Sequence, residues 1–371
     1  MLRILWRVVR AVLILLAVIV AIPVLGLAYG WLSTDAPQRG SIVTRSPEVA
    51  AVSQRLATEI AGYKRPEEST FLTYPEWSIV YSAREYADFV QDHNPADFPY
   101  LAHVGRFWKD YAAMIRASAD YPFNFQNHLM LMVIGTSHTI EHIIQSVYEN
   151  TAGRLTWALG GAVGEDTVLA AIAADYAAFL DQTPWYRFPY AERRADLWDA
   201  TTAPGWASVR SWERKLGYGL ALTVKQVYAD MIASGLSATS DAAFLDIHVW
   251  AQGPVSDAIA GEADTTLEHD FGADGAVFVT RRYQVFTEMI PRLIGRGVSF
   301  VEIGGNDDIL VTVLSNEEID APDGASTLFS YQLPTDPTTI RTGMAVPVGD
   351  LHEALPDLIN AGARLEHVYD Y

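Results

Sequence analysis

Two histidines and a glutamate carry the only arrangement in this chain that spells out a reaction. His138, Glu141 and His142 form a His-x-x-Glu-His sequence. On a helix, positions i, i+3 and i+4 share a face, so the spacing is that of a zinc site. Two imidazoles would hold Zn²⁺ and Glu141 would act on a metal-bound water. A catalytic zinc also needs a third protein ligand, and none is dictated by the chain. Glu149 shares the face, but about 10 Å farther along the helix axis than His142. His128 and His103 are further candidates that only folding could bring in. The leading expectation is therefore two histidines packed in an aromatic-rich helical domain, hydrogen-bonded and without metal, and the alternative is a zinc-dependent hydrolase.

The pattern resembles the motif of the inverted zinc metallopeptidases of the pitrilysin type, with Gly135-Thr136-Ser137 and Ile143-Ile144 extending the likeness over about ten residues. That resemblance implies a third-ligand glutamate far downstream. The corresponding position here is Tyr218, and the nearest acid is Glu213, five residues out of place.

Other chemistry-bearing residues point to structure. Gly304-Gly305-Asn306-Asp307-Asp308 offers oxygens for Ca²⁺, but it joins two expected strands and lacks the calcium-loop spacing, so a tight turn is expected. The Trp and Tyr side chains between Tyr74 and Trp212 would line a lipid, quinone or sugar pocket or, as aromatics at helical spacing more often do, form core. Ser208, Ser211 and Ser240 lack a nucleophile-elbow context, and no phosphate-cradling glycine loop occurs.

The elements that must position these residues begin with an apolar segment. Arg3, Arg7 and Arg10 precede residues 11–32, which contain no charged side chain. A helix of that length reaches about 33 Å, enough to cross the hydrocarbon of a bilayer. Gly26 and Ala28 are small enough for signal-peptide cleavage, but the run is longer than a signal core and reads as an uncleaved anchor. Trp6, Tyr29 and Trp31 sit near its ends, as interfacial aromatics do. Pro23 lies inside the run, where bilayer helices tolerate proline. The three arginines place residues 1–10 in the cytoplasm and the bulk outside, in the periplasm of a Gram-negative cell, with the lipid bilayer as partner through residues 11–32.

Charge agrees with this division. Removing the three N-terminal arginines from the net −19 of the chain leaves −22 on the rest. Such a surface repels nucleic-acid backbones and anionic lipid, and it suits a basic envelope protein as partner. The chain has no cysteine, which excludes disulfides and thiol catalysis.

Beyond the anchor the pattern predicts a tether over 33–46, a mainly helical domain over 47–236 and an α+β domain over 237–371. Helices are expected over 47–63, 73–91, 100–117, 127–151, 165–181 and 209–234, the second opened by a Thr73-x-x-Glu76 capping box. The pattern changes near Ala238. Residues 244–250 alternate like a half-buried strand, Ala273-Asp274-Gly275 carries a hairpin signal, and 277–280, 300–304, 309–314 and 344–348 are further strands.

The stretch 290–300 also resembles 355–365 at an offset of 65, each placing a strand, a helix, a glycine and another strand in register. Each of these helices contains a proline, Pro291 or Pro356, at which it is expected to start or bend. The fold class expected is α+β, with duplicated strand-helix-strand units in the C-terminal third.

At residues 73–81 (TYPEWSIVY), 184–187 (PWYR) and 301–310 (VEIGGNDDIL) the chain resembles a family of bacterial single-pass membrane-anchored proteins for which no activity is established. The resemblance spans most of the chain after the anchor. It implies a bacterial source and one architecture, and it carries no mechanism. The reading of the whole is a membrane-anchored periplasmic protein that binds a ligand or partner without catalysis.

Overall fold

The computed structural model describes residues 2–37, 45–236, 245–272 and 275–371. Half of the expected tether, the change of pattern at Ala238, Ser240, Phe244 and the turn residues Ala273 and Asp274 lie outside that description, as do several side chains of the first helix.

The first part of the chain is helical: α1 (Leu2–Ser33), α2 (Pro47–Glu59), α3 (Ser69–Asp92), α4 (Tyr100–Ala117), α5 (Phe125–Tyr148), α6 (Arg154–Gly160), α7 (Gly164–Leu180), α8 (Tyr190–Asp199) and α9 (Ala207–Leu236). Helix α1 takes in the arginine-bearing segment as well as the apolar run 11–32. Among the described residues no helix is long and apolar enough to cross a membrane, and several side chains of the run 11–32 lie outside that description.

Local chemistry sets the helix ends. Ser46 caps α2 by accepting from the Val49 N–H, with Pro47 at the first helical position. Helix α3 starts at Ser69 rather than Thr73, because the Thr73 hydroxyl donates to the Ser69 carbonyl one turn back and so cannot cap. Helix α5 runs into α6 through one widened π turn, Glu149–Gly153. That turn directs Glu149 inward, and a Cβ on Gly153 would collide with the Glu149 carboxylate.

The second part contains two four-stranded antiparallel sheets. In the first, β1 (Asp246–Gln252), β2 (Thr266–Asp270), β3 (Ala276–Arg281) and β4 (Ser299–Ile303) lie in the order β2-β3-β1-β4. Helices α10 (Val255–Ile259) and α11 (Gln284–Gly295) complete a β-α-β-β-α-β unit. In the second, β5 (Asp308–Ser315), β6 (Ser326–Gln332), β7 (Ile340–Pro347) and β8 (Arg364–Tyr369) repeat that order as β6-β7-β5-β8. Helix α12 (Leu351–Asn360) is the counterpart of α11, and a loop replaces the counterpart of α10.

The two helix ends match atom for atom. After α11, Val298 N–H bonds the Leu293 carbonyl across Gly297 at φ 84°. After α12, Ala363 N–H bonds the Leu358 carbonyl across Gly362 at φ 93°. Only glycine adopts this left-handed turn without strain. Both helices begin upstream of their prolines.

The two sheets and their helices enclose one core, with Val249, Ile290, Val311, Val346 and Leu355 among its members. The helical part covers the opposite faces. Leu56, Ile60 and Tyr63 lie on Trp250 and Val277 of the first sheet. Phe71, Tyr74, Trp77 and Trp108 lie on Leu310, Leu328, Ala345 and Tyr369 of the second. Strand β5 is therefore buried along its whole length and reads as a nearly continuous apolar run.

Polar groups cross this second seam in pairs. Arg341 holds Glu366 through two 2.8 Å bonds and lies 3.5 Å from Glu85 of α3. Tyr74 and Tyr331 share a 2.7 Å hydroxyl bond, and Tyr81 and Tyr369 a 2.5 Å one. Replacing Arg341 by methionine would strand two buried carboxylates. The expected loss is about 3–5 kcal/mol in urea unfolding, most of it recovered by Arg341→Met with Glu366→Leu. A neutral single variant would show that the seam does not depend on the pair.

Candidate functional site

Helix α5 places the His-x-x-Glu-His residues. Asn124 caps it, accepting from the N–H groups of Gln126 and Asn127. Gly135 lies flat under the Phe107 ring, where a Cβ would collide. One turn on, Thr139 accepts from the Trp108 indole at 3.0 Å. These contacts press α5 on α4 and turn His138 and His142 toward α3 and α4, their ring centroids 3.9 Å apart.

The hydrogen bonds fix the imidazoles. Nδ1 of His142 donates to the His138 carbonyl at 3.1 Å, so Nε2 carries the lone pair and accepts from the Ser82 hydroxyl at 3.0 Å. His138 bonds the backbone of His103, whose own ring stacks on Phe98 at 4.7 Å. All three rings are held neutral. Burial pushes His103 down to about 3, burial with the neighbouring imidazoles holds His138 well below the usual range, and burial lowers His142.

Glu141 is not brought to the same point. It faces α9, where its carboxylate meets the Lys225 ammonium at 2.6 Å. Surrounding protein opposes the carboxylate charge, and the ammonium outweighs it and holds the carboxyl below its usual range. Its side chain remains 47 % exposed, so the pair sits at the rim of the site rather than beneath it. To act on a water between the histidines, Glu141 would have to leave Lys225.

The other candidate ligands are committed elsewhere. Glu149 takes two bonds from Arg214, at 2.6 and 3.0 Å, and a third from Tyr218. Glu213 accepts from Tyr148, Thr156 and Arg214. His128 pairs with Tyr111 and lies 3.4 Å from Glu68. Among the described residues, no group of three or more histidine, aspartate or glutamate side chains is placed to hold a metal ion. The zinc reading thus has two adjacent imidazoles and neither a third ligand nor a free base.

The remaining motifs have structural places. Gly304 and Gly305, at φ 56° and 68°, form the tight turn between β4 and β5. There Asp307 pairs with Arg45 at 2.6 Å and Asp308 accepts from Tyr121, so the carboxylates diverge. Ser211 is buried between Glu165 and the Ala203 N–H, and Ser208 donates to the Gly205 carbonyl.

What the histidines do border is a cavity of about 150 Å³ between α3, α5, α7 and α9. Ile79, Leu169, Ile172 and Leu222 give it apolar walls. Ser82, Tyr86, His142, Tyr176 and the Glu141–Lys225 pair supply polar groups. Tyr176 and Lys225 come from helices far along the chain, and no local pattern could have assigned them to the His142 site. No known protein family, characterised protein or solved structure matches this chain.

Two outcomes follow from this geometry. Elemental analysis of the purified full-length chain is expected to find no stoichiometric zinc, with His142→Ala leaving the metal content unchanged. One zinc per chain that His142→Ala removes would overturn this. The neutral histidines also link stability to pH. Their folded pKa values lie below the unfolded value of about 6.5, so the unfolded chain binds more protons under that pH. Stability is full above pH 6.5 and is expected to fall as pH drops toward 5, by up to about 1.4 kcal/mol per unit for each such histidine. Urea unfolding at pH 7.5 and 5 reads the slope, and His138→Asn should reduce it.

Proposed function

We propose that this chain is a membrane-anchored protein of the bacterial envelope that binds a small ligand in the cavity beside His142 and does not transform it. Residues 11–32 are the anchor, residues 1–10 lie in the cytoplasm and the bulk of the chain in the periplasm. The cavity carries the binding reading. It has apolar walls with a few polar groups already held in one orientation, the usual composition of a small-molecule site.

Two features of the described residues favour binding over catalysis. Ser82 meets His142, but it lies inside helix α3 rather than at a sharp turn. The Glu141 carboxylate is neutralised by Lys225. A volume of about 150 Å³ suits a single-ring aromatic or short branched molecule. One polar substituent on such a ligand would meet Ser82 and His142.

Thermal unfolding of the detergent-solubilised full chain against phenol, benzyl alcohol and cyclohexanol tests this. Saturation at 100 times Kd is expected to stabilise by about 2.7 kcal/mol. Ala83→Phe, which places a ring in the cavity, should abolish the shift while leaving the circular dichroism spectrum intact. A panel without any shift, or a shift that survives Ala83→Phe, would reject the cavity as the site. Protease added to spheroplasts is expected to cut the 245–371 region, and protection of that region beside a cleaved periplasmic control would reject the topology.

A further inference from the structure

We infer that the outer face of the α5–α6 and α9 helix pair lies against lipid hydrocarbon, so that the helical part is seated in the bilayer beside α1. This rests on the reading of residues 11–32 as an anchor and extends it from one helix to a surface.

The face is apolar to an unusual degree. Every exposed residue of α9 between Val209 and Tyr228 is Val, Trp, Leu, Ala or Tyr; Arg210, Arg214 and Lys215 are buried, Lys225 is about one-third exposed in its pair with Glu141, and the exposed Asp230 follows. Val209, Trp212, Leu216, Leu220, Val224 and Val227 recur at three- and four-residue spacing, which is one stripe of a helix. On α5 and α6 the exposed residues Leu129, Val133, Ile144, Val147, Leu155 and Leu159 are apolar, with the exposed polar residues Ser137, Glu141, Thr151 and Arg154 between them. Soluble surfaces seldom gather this much apolar area in one place.

The two stripes lie on neighbouring helices. Helices α5–α6 and α9 run antiparallel, as their contacts show. Gly160 meets Ala207, Glu149 meets Arg214, and Glu141 meets Lys225. Taking 100° per residue from those contact positions, the α9 stripe lies on the side of α9 that faces away from α5–α6, and the α5 stripe lies about a quarter turn from the contact.

Three observations select lipid as the occupant. The surface continues into α1 through an apolar groove of about 920 Å³, with Val20, Val24 and Leu27 on one wall and Leu129, Val133 and Ile140 on the other. From Val209 to Met231 the stripe runs about 33 Å, close to the roughly 30 Å of bilayer hydrocarbon. Trp206 and Trp212 stand at one end and Tyr228 near the other, as aromatic side chains do at membrane interfaces. Acyl chains filling the groove would join the faces of α1, α5 and α9 into one lipid-covered wall.

The absence of native cysteine makes a direct test possible. Single cysteines at Leu13, Ile144, Leu220 and Val224, and at exposed Asp323 as an aqueous control, would carry nitroxide labels on the full chain in phosphatidylethanolamine–phosphatidylglycerol vesicles. Collisions with oxygen are expected to exceed collisions with a water-soluble nickel chelate at 144, 220 and 224 as they do at 13, with the reverse at 323. Nickel access at 220 and 224 with lipid exposure kept at 13 overturns the inference and leaves the anchor standing. Nickel access at 13 as well removes the anchor, and the inference with it. Spin–spin broadening at 220 that disappears on dilution with unlabelled chain overturns it too, by making the face a contact between copies.

Discussion

Charges removed from water have to be neutralised where they lie, and that requirement organises this fold more than any apolar contact. Arg214 and Glu149 have no exposed side-chain surface at all, and neither would be stable there without the other. The pair lies at the π turn that ends α5, where a Cβ at position 153 would collide with both side chains. Arg210 with Asp166, Lys215 with Glu165 and Arg341 with Glu366 repeat the arrangement at other helix and strand contacts. Each pair fixes one element's rotation against another, because a slip of one residue would leave a bare charge in the interior.

This constraint explains what the sequence revealed and what it hid. Strand β5 was legible because both its faces are buried and its residues, from Ile309 to Leu314, are almost all apolar. Strands β1, β3, β4 and β7 fell within a few residues of their expected places. Strand β2 was legible only as the run before the Asp274-Gly275 hairpin signal and not in its bounds, since all five of its residues are exposed and Glu268, His269 and Asp270 break any alternation. Strand β6 alternates weakly through Ser326, Ser330 and Gln332, and α8 is a short polar helix with little apolar periodicity. The mistaken start at Thr73 has a similar cause, because a threonine that bonds back to its own helix looks identical in sequence to one that caps it.

The candidate site divides in the same way. The adjacency of His138 and His142 follows from helical spacing alone, and the structure keeps it. What spacing could not supply is the rotation of Glu141 toward α9, which depends on Lys225, or the Ser82 hydroxyl, which arrives from α3 sixty residues earlier in the chain. The motif's three residues thus serve two surfaces, the histidines an interior cavity and the glutamate its rim. The aromatic wealth of the helical part likewise has two fates. Tyr74, Trp77 and Trp108 form the seam with the second sheet, while Tyr86 and Tyr176 line the cavity.

The packing of α3 on β8 has a kinetic side. Thr70 donates to the Tyr369 carbonyl across 299 residues, and Tyr81 meets the Tyr369 hydroxyl across 288. Until the second sheet has been synthesised, the aromatic face of α3 lacks the strands that cover it. A chain with contacts this distant in sequence folds slowly, because loop closure must be completed before the contacts reward it. During that interval Trp77 lacks its ring partners Tyr283, His367 and Tyr369, in a segment made nearly three hundred residues earlier. The nascent helical part thus carries aromatic surface meant for a sheet that the ribosome has yet to make, which is the condition under which chains aggregate.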